Sequence, residues 1–226
     1  MIYYADRPPL RIRMRKWIVF AGMLLGLGLA AVIIMADQRH EKAKKHVLAS
    51  EKLYHVGEYA AAAAEARIGV QFDPNYARAH NDLGYDLFKM GNTREAIAEC
   101  RKAVKVDPDD GSAHDNLGYM LYETGDLNGS HKEFDAAISL DSKDAEAQAE
   151  IGRILAQQGD VAGALVHAND AVKLDPDDAV VRRCLGYVLY MNGDKAGAKR
   201  EWLKCIELGN WDTAGQARAY IKQYSL

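Results

Sequence analysis

The chain has 226 residues, of which 49% are hydrophobic and only 8% aromatic, and its net charge is −3. That charge is unevenly divided, since residues 1–45 carry nine Lys/Arg and three Asp/Glu, whereas the remainder carries 20 basic and 29 acidic residues. An acidic body argues against nucleic-acid binding, which needs a basic surface. Three cysteines without paired spacing, Cys100, Cys184 and Cys205, favour buried thiols over a disulfide framework.

A basic N-terminal tail, residues 1–16, precedes a run of 20 uncharged residues from Trp17 to Ala36. As a helix, this run would extend about 30 Å, which matches the hydrocarbon core of a bilayer. We therefore predict a single transmembrane helix over residues 17–36. A cleavable signal peptide stays open as an alternative, because Ile34-Met35-Ala36 is an acceptable cleavage site. Signal-peptide apolar regions are usually shorter, about 7–15 residues.

Basic residues flank this segment, with five before it and four shortly after it. The positive-inside rule then predicts a single-pass protein of a bacterial inner membrane, with the N-terminus inside and the body in the periplasm. Small residues at Gly22, Gly26 and Ala30 are spaced by four, a pattern that lets membrane helices approach closely. A homodimer through this face is left open, since glycine is common in membrane helices in any case.

A charged stalk, residues 37–42, follows the apolar segment. No Gly or Pro occurs between Leu29 and Val56, and the residues of the stalk favour helix. We predict that the membrane helix continues without a break through the stalk into the first helix of the body.

The body repeats one 34-residue pattern five times, at residues 43–76, 77–110, 111–144, 145–178 and 179–212. Small residues occupy positions 8, 20 and 27 of every copy, and Leu or Ile recurs at positions 7 and 11. A fixed period of this length indicates a solenoid. Small residues are typical of places where two helices approach closely, and positions 7 and 11 lie one helical turn apart on a buried stripe. The pattern predicts an all-α body of helix pairs.

Breaks between these helices recur with the same period. Position 15 is glycine in all five copies and is predicted to end each first helix, because a left-handed C-terminal residue favours glycine. Glu, Asn or Asp follows this glycine and can cap the next helix. Asp-Pro at 73–74, 107–108 and 175–176 is predicted to end the second helix, and Asp141-Ser142 does so more weakly.

Together with Gly at position 15 and Pro at position 32, these positions resemble the tetratricopeptide repeat (TPR) family over about 170 of the 226 residues. The resemblance implies a right-handed superhelical solenoid of helix-turn-helix repeats, here preceded by the transmembrane helix. Residues 213–226 resemble the helix that caps the last open face of such arrays, with Trp202 and Trp211 packed beneath it. Position 4, usually a large aromatic residue in the family, differs here and reads His46, His80, His114, Gln148 and Arg182.

In this family the first helices line a concave groove, and positions 2, 5, 9, 12 and 13 face it. The resemblance therefore implies a partner-binding set of Asn81, Tyr85, Phe88, Asp115, Tyr119, Tyr122, Arg153, Arg183, Tyr187 and Tyr190. Tyrosine combines apolar area with a polar tip, which suits an extended peptide, although an aromatic residue at position 12 also braces the next repeat. Arg153 is either a specificity contact or half of an intrahelical ion pair. The acidic body favours a neutral or basic partner segment.

We find no catalytic, metal-binding or cofactor-binding arrangement in the sequence, and we expect no enzyme activity, metal or cofactor. The row of histidines at position 4 is interpreted as packing rather than metal ligation. The layout resembles bacterial single-pass TPR proteins, and it favours a membrane-anchored adaptor or scaffold that binds a partner protein or extended peptide during assembly of an envelope, secretion or biogenesis complex. The alternative is a constitutive structural subunit of a membrane complex, held through its transmembrane helix.

Overall fold

The computed structural model describes residues 10–209 and 211–225, with side chains for residues 32–209 and 212–225. This part of the chain forms eleven α-helices and no strand. In chain order they are α1 (Leu10–His55), α2 (Tyr59–Phe72), α3 (Ala77–Lys89), α4 (Thr93–Val106), α5 (Gly111–Glu123), α6 (Leu127–Leu140), α7 (Ala145–Gln158), α8 (Val161–Leu174), α9 (Ala179–Met191), α10 (Lys195–Leu208) and α11 (Trp211–Gln223).

Helix α1 is 46 residues long and joins the apolar N-terminal segment to the first repeat. The prediction of one unbroken helix through the stalk is therefore confirmed. Residues 17–31 of the predicted membrane span, including Gly22, Gly26 and Ala30, lie outside the residues whose side chains are described, as does the tail over residues 1–9. Within the described residues, no helix has a stretch long and apolar enough to cross a bilayer.

The helices stack in chain order. Each helix packs against the next, and the first helices α1, α3, α5, α7 and α9 also contact one another in order, followed by α11. Within the described residues, the backbones of elements further apart than this do not meet. Such nearest-neighbour packing defines a solenoid, and the predicted all-α solenoid is confirmed. The contacts between successive first helices build one continuous inner face.

Small residues lie where the two helices of a repeat meet, as predicted. A Cβ on Gly118 would come within 3.1 Å of the Phe134 ring, and one on Gly152 within 3.0 Å of the Ala164 carbonyl oxygen. Ser130 is fully buried, and its hydroxyl donates a hydrogen bond of 2.7 Å to the Gly118 carbonyl oxygen. Larger side chains at these positions would separate the helices that form each repeat.

Glycine at position 15 has positive φ in all five repeats, between +82° and +93°, so the predicted helix ends are confirmed. We expect Gly125→Ala to destabilise the protein by about 1 kcal/mol, because its φ of +85° disfavours a Cβ. Gly111→Ala is the matched control. A Cβ there also meets open space, but φ is not positive, and we expect a gain of about 0.4–1 kcal/mol. Urea unfolding of both variants measures this difference, and equal stabilities would contradict the argument.

Capping after these glycines is only partly as predicted. The Asp126, Asp160 and Asp194 side chains each accept a hydrogen bond from a backbone N–H three residues on, at 2.8–3.0 Å. Glu58 and Asn92 occupy the same position but make no side-chain cap bond. Aspartate therefore caps the later repeats, whereas the first two repeats begin their second helix without this contact.

Position 4 pairs with position 23 in every repeat, which explains why the usual aromatic residue is absent. The His80 ring lies with Nδ1 2.7 Å from Glu99 Oε2 and Nε2 3.0 Å from the Pro74 carbonyl oxygen. One side chain thus joins both helices of its repeat to the turn that precedes it. The histidines of this row are packed between helices and also hydrogen-bonded, which the sequence interpretation did not include. The equivalent pairs are His46–Glu65, His114–Glu133, Gln148–His167 and Arg182–Glu201.

Helix α11 covers the end of the array. Trp202 is fully buried, and its ring centroid lies 5.3 Å from that of Tyr220 and 5.8 Å from that of Tyr224. The prediction that Trp202 packs beneath this helix is confirmed, while the Trp211 side chain lies outside the described residues. The helix begins at Trp211, two residues before the start predicted for the cap.

Candidate partner-binding groove

Aromatic rings form a ladder along the first helices. In the first half of the array, the ring at position 12 of one repeat contacts the ring at position 9 of the next. The Tyr54 and Tyr85 centroids are 5.3 Å apart, and those of Phe88 and Tyr119 are 5.6 Å apart. All four rings are half-buried. These aromatic residues therefore brace neighbouring repeats while keeping part of their surface open.

In the fourth repeat an arginine takes the place of a ring in this ladder. The Arg153 guanidinium carbon lies 3.5 Å from the centroid of the Tyr122 ring. This stacked cation–π contact preserves the spacing between the third and fourth repeats. At the C-terminal end the ladder ends just after α11, where Tyr190 stacks on Tyr224 at 3.9 Å.

Helix α11 also reaches across the groove to earlier repeats. Asp212 forms an ion pair with Lys89 of the second repeat. Gln216 Nε2 donates a hydrogen bond of 3.3 Å to the Tyr119 hydroxyl oxygen, 97 positions away in the chain. The Tyr187 ring faces Tyr220 at 6.0 Å. The C-terminal helix thus occupies the later part of the inner face and leaves the earlier part uncovered.

A buried ionic cluster lies behind this region. Glu150 accepts one hydrogen bond from Arg153 Nε and one from Arg183 Nη2, each at 2.6 Å. The three side chains are at most 4% exposed. Burial alone would raise the pKa of Glu150, but the two guanidinium groups outweigh this effect and hold the pKa below its ordinary value. The cluster joins α7 to α9.

Three of the ten predicted groove residues do not reach the surface: Asn81, Arg153 and Arg183 are 7%, 1% and 3% exposed. Arg153 forms an intrahelical ion pair with Glu150, one of the two roles that its sequence position left open. Asn81 accepts a hydrogen bond of 3.0 Å from Asn116. The remaining seven residues are half-buried: Tyr85, Phe88, Asp115, Tyr119, Tyr122, Tyr187 and Tyr190.

The uncovered part of the groove contains a recess of about 100 Å³ between α1, α3 and α5, which we call the acidic recess. Asp86 accepts a hydrogen bond of 2.9 Å from Ser50, and Arg78 pairs with Glu51 at 3.0 Å. Its lining residues are Ser50, Glu51, Tyr54, Arg78, Asp82, Tyr85, Asp86 and Asn116. The recess combines two tyrosine rings with three carboxyl groups and one cation.

Burial sets the charge of the acidic recess. It raises the pKa of Asp82 to about 7, against the opposing effect of nearby Arg78, and it raises the pKa of Asp86 to about 6. Other charged groups near Asp82 are Glu51 on α1 and Asp110 at the start of α5. Neither Asp82 nor Asp86 was predicted as a groove residue. The available signal was two carboxylates one turn apart on a helix predicted to line the groove.

Other kinds of site are not evident in the described residues. No group of three or more His, Cys, Asp or Glu side chains there is arranged to hold a metal ion. The three cysteines are free and fully buried. The groove is therefore the candidate functional site.

Comparison with known proteins identifies the repeats. The family model of the tetratricopeptide repeat matches residues 81–145 and 121–179, and no curated protein matches the chain. A thermophilic TPR protein of Thermus thermophilus is 18% identical, with a TM-score of 0.67 over 78% of this chain and 97% of that one. Pseudomonas aeruginosa pilF is 18% identical, with a TM-score of 0.65 over 83% of this chain and 93% of that one. YrrB is described as a TPR protein with an unusual peptide-binding site. It is 21% identical, with a TM-score of 0.56 over 81% of this chain and 95% of that one. The part of the chain that the family model matches therefore consists of tetratricopeptide repeats.

Proposed function

We propose that the protein is a membrane-anchored TPR scaffold that binds an extended, basic segment of a partner protein in its concave groove. The acidic recess carries this proposal, because it lies in the part of the groove that α11 leaves uncovered. Its half-buried tyrosine rings offer apolar area and a cation-binding face, and the half-buried carboxyl groups of Glu51 and Asp82 offer acceptors for a Lys or Arg side chain. YrrB, a protein of similar fold, is described as having a peptide-binding site, which supports peptide binding by this chain.

The proposed anchor is the uncharged run over residues 17–36. The length of this run supports the proposal. Further support comes from four apolar residues beyond its centre that are 57–63% exposed on α1, namely Val32, Ile33, Ile34 and Met35. Consecutive exposed apolar side chains of this size are typical of a surface that contacts lipid or protein. With the N-terminus inside, the five repeats over residues 43–212 and the cap over residues 213–226 would stand in the periplasm. There the groove would serve assembly of an envelope complex.

Binding of a basic peptide is expected to depend on pH. Asp82 and Asp86 lose their protons between about pH 5.5 and about pH 8, so the affinity for an arginine-containing peptide should rise by about tenfold over this range. The measurement is fluorescence anisotropy, using full-length protein in mild detergent and a labelled Gly/Ser peptide with three arginines. A peptide with citrulline in place of arginine is the neutral control.

Two variants locate this effect. Asp82→Asn should reduce the pH dependence, because it removes the carboxyl group of the acidic recess whose pKa lies nearest neutrality. Asp170→Asn, at an exposed carboxylate of α8, should leave it unchanged. Equal affinity for the arginine and citrulline peptides would show that the acidic recess does not select basic segments.

A further inference from the structure

A second cavity, of about 130 Å³, lies between α3, α5, α7, α9 and the beginning of α11, and we call it the inner cavity. Part of its wall is aromatic and is formed by Tyr85, Tyr119 and Phe134. Two ion pairs line it, Lys89 with Asp212 and Arg183 with Glu150. The cavity is thus partly apolar, and the charges around it are largely paired.

Two polar atoms at the inner cavity have no hydrogen-bond partner within the protein. One is Nε of Arg183, whose side chain is 3% exposed, and the other is Oδ1 of Asp115, whose carboxyl group also interacts with that of Asp144. Both residues line the cavity. A buried guanidinium N–H without an acceptor and a buried carboxyl oxygen without a partner are rare in folded proteins. A ligand that supplies one acceptor and one donor would satisfy both atoms.

The charge at the inner cavity favours a neutral ligand. Burial raises the pKa of Asp115 to about 8 and that of Glu146 to about 7, with carboxyl groups of α7 and of its N-terminal cap adding to the burial effect at Asp115. Asp115 is therefore mostly protonated at neutral pH, and Glu150 is neutralised by Arg153 and Arg183. Because Lys89 is paired with Asp212 and Arg183 with Glu150, an ionised ligand would enter the cavity without a counter-ion of full charge.

We infer that the inner cavity binds a primary carboxamide, the side-chain group of Asn or Gln, from the partner segment. The carboxamide oxygen accepts a hydrogen bond from Arg183 Nε–H, and its NH₂ group donates one to Asp115 Oδ1. The rings of Tyr85 and Tyr119 cover the methylene groups. This inference rests on the proposed function and adds a second recognised residue type to the basic residue held in the acidic recess.

Access to the inner cavity runs from the edge of the solenoid. Asp115, Asn116 and Glu146 line both the inner cavity and a wider depression of about 610 Å³ formed by α5 and the turns before α7 and α9. The two spaces therefore adjoin at these residues. A side chain can enter by this route while α11 remains in place.

Side-chain analogues test the inference without knowledge of the partner. In full-length protein held in mild detergent, the ¹H–¹⁵N signal of Arg183 Nε–H is followed while propionamide, the analogue of a Gln side chain, is added. We expect a saturable shift with a dissociation constant on the order of 1–10 mM. Propionate and n-butylammonium, the analogues of Glu and Lys, should not shift this signal.

Variants separate the cavity from the ionic cluster behind it. Val180→Phe should fill the inner cavity and weaken propionamide binding by about tenfold or more, since Val180 lines the cavity without joining its polar contacts. Val166→Phe, at a 60% exposed position of α8, is the control and should bind as the parent does. Asp115→Ala should weaken binding by about tenfold through loss of one hydrogen bond.

The result that overturns the inference is an Arg183 signal that propionamide leaves unshifted, or one that all three analogues shift alike. If the arginine peptide still binds the acidic recess under the same conditions, the inference fails and the proposed function stands. If propionamide binds and the arginine peptide does not, the carboxamide site stands and the basic partner is wrong.

Discussion

Glu150→Ala is expected to lower the free energy of unfolding by about 3–5 kcal/mol, because it leaves two buried guanidinium groups without their shared carboxylate. Arg153 and Arg183 are 1% and 3% exposed, and both place a nitrogen 2.6 Å from Glu150. Urea unfolding followed by far-UV circular dichroism measures the loss, with the midpoint and slope fitted separately.

The reason for this loss can be tested by removing all three charges together. The variant Glu150→Leu/Arg153→Met/Arg183→Met keeps similar volume and leaves no unpaired charge, so it should recover most of the stability lost in the single variant. Asp170→Ala removes a carboxylate that pairs with Lys173 on the exposed surface, and it should cause no measurable change. If the triple variant is as unstable as Glu150→Ala, lost packing rather than unpaired charge explains the result.

The helical period and the turns of the array could be predicted from sequence because each depends on local chemistry. A left-handed helix end requires glycine, and the five glycines at position 15 mark these ends directly. Small residues at position 8 likewise report the close approach of paired helices, as at Gly118 against Phe134. Such signals are repeated five times, so no single substitution obscures them.

Polar pairs across helices were harder to predict, because their partners lie 19 positions apart. His80 with Glu99 and Arg182 with Glu201 occupy the same two repeat positions with different residue types. The signal was present, since position 23 holds Glu wherever position 4 holds His or Arg. This signal can be recognised only when position 23 is compared across the repeats.

The inner face of the groove could not be predicted fully, because it depends on how α11 lies against the curved array. Contact between Asp212 and Lys89 joins residues 123 positions apart, and no periodic pattern reports it. Burial of Arg153 and Arg183 contradicts the general preference of arginine for the surface. The one indication was that Arg153 stands at a position that is tyrosine in the repeats on either side, and there it stacks on Tyr122.

Trp202→Ala is expected to destabilise the protein by about 3–5 kcal/mol and to loosen α11 from the end of the array. The indole is fully buried beneath Tyr220 and Tyr224, and its Nε1–H donates a hydrogen bond of 3.1 Å to the Arg183 carbonyl oxygen. Its removal leaves a cavity and deletes this hydrogen bond beside the ionic cluster. Chemical unfolding measures the first effect, and amide hydrogen exchange over α11 measures the second.

Leu203→Ala is the matched control, since Leu203 is the next residue of α10 but is 46% exposed, and its removal should change stability by less than about 0.5 kcal/mol. In the Trp202 variant, faster exchange should extend to residues near Tyr119 and Lys89, because α11 contacts both across the groove. Faster exchange confined to α10 would mean that α11 is held by its groove contacts alone. In that case the helix belongs to the groove rather than to the cap, and a partner would have to displace it to reach Tyr119.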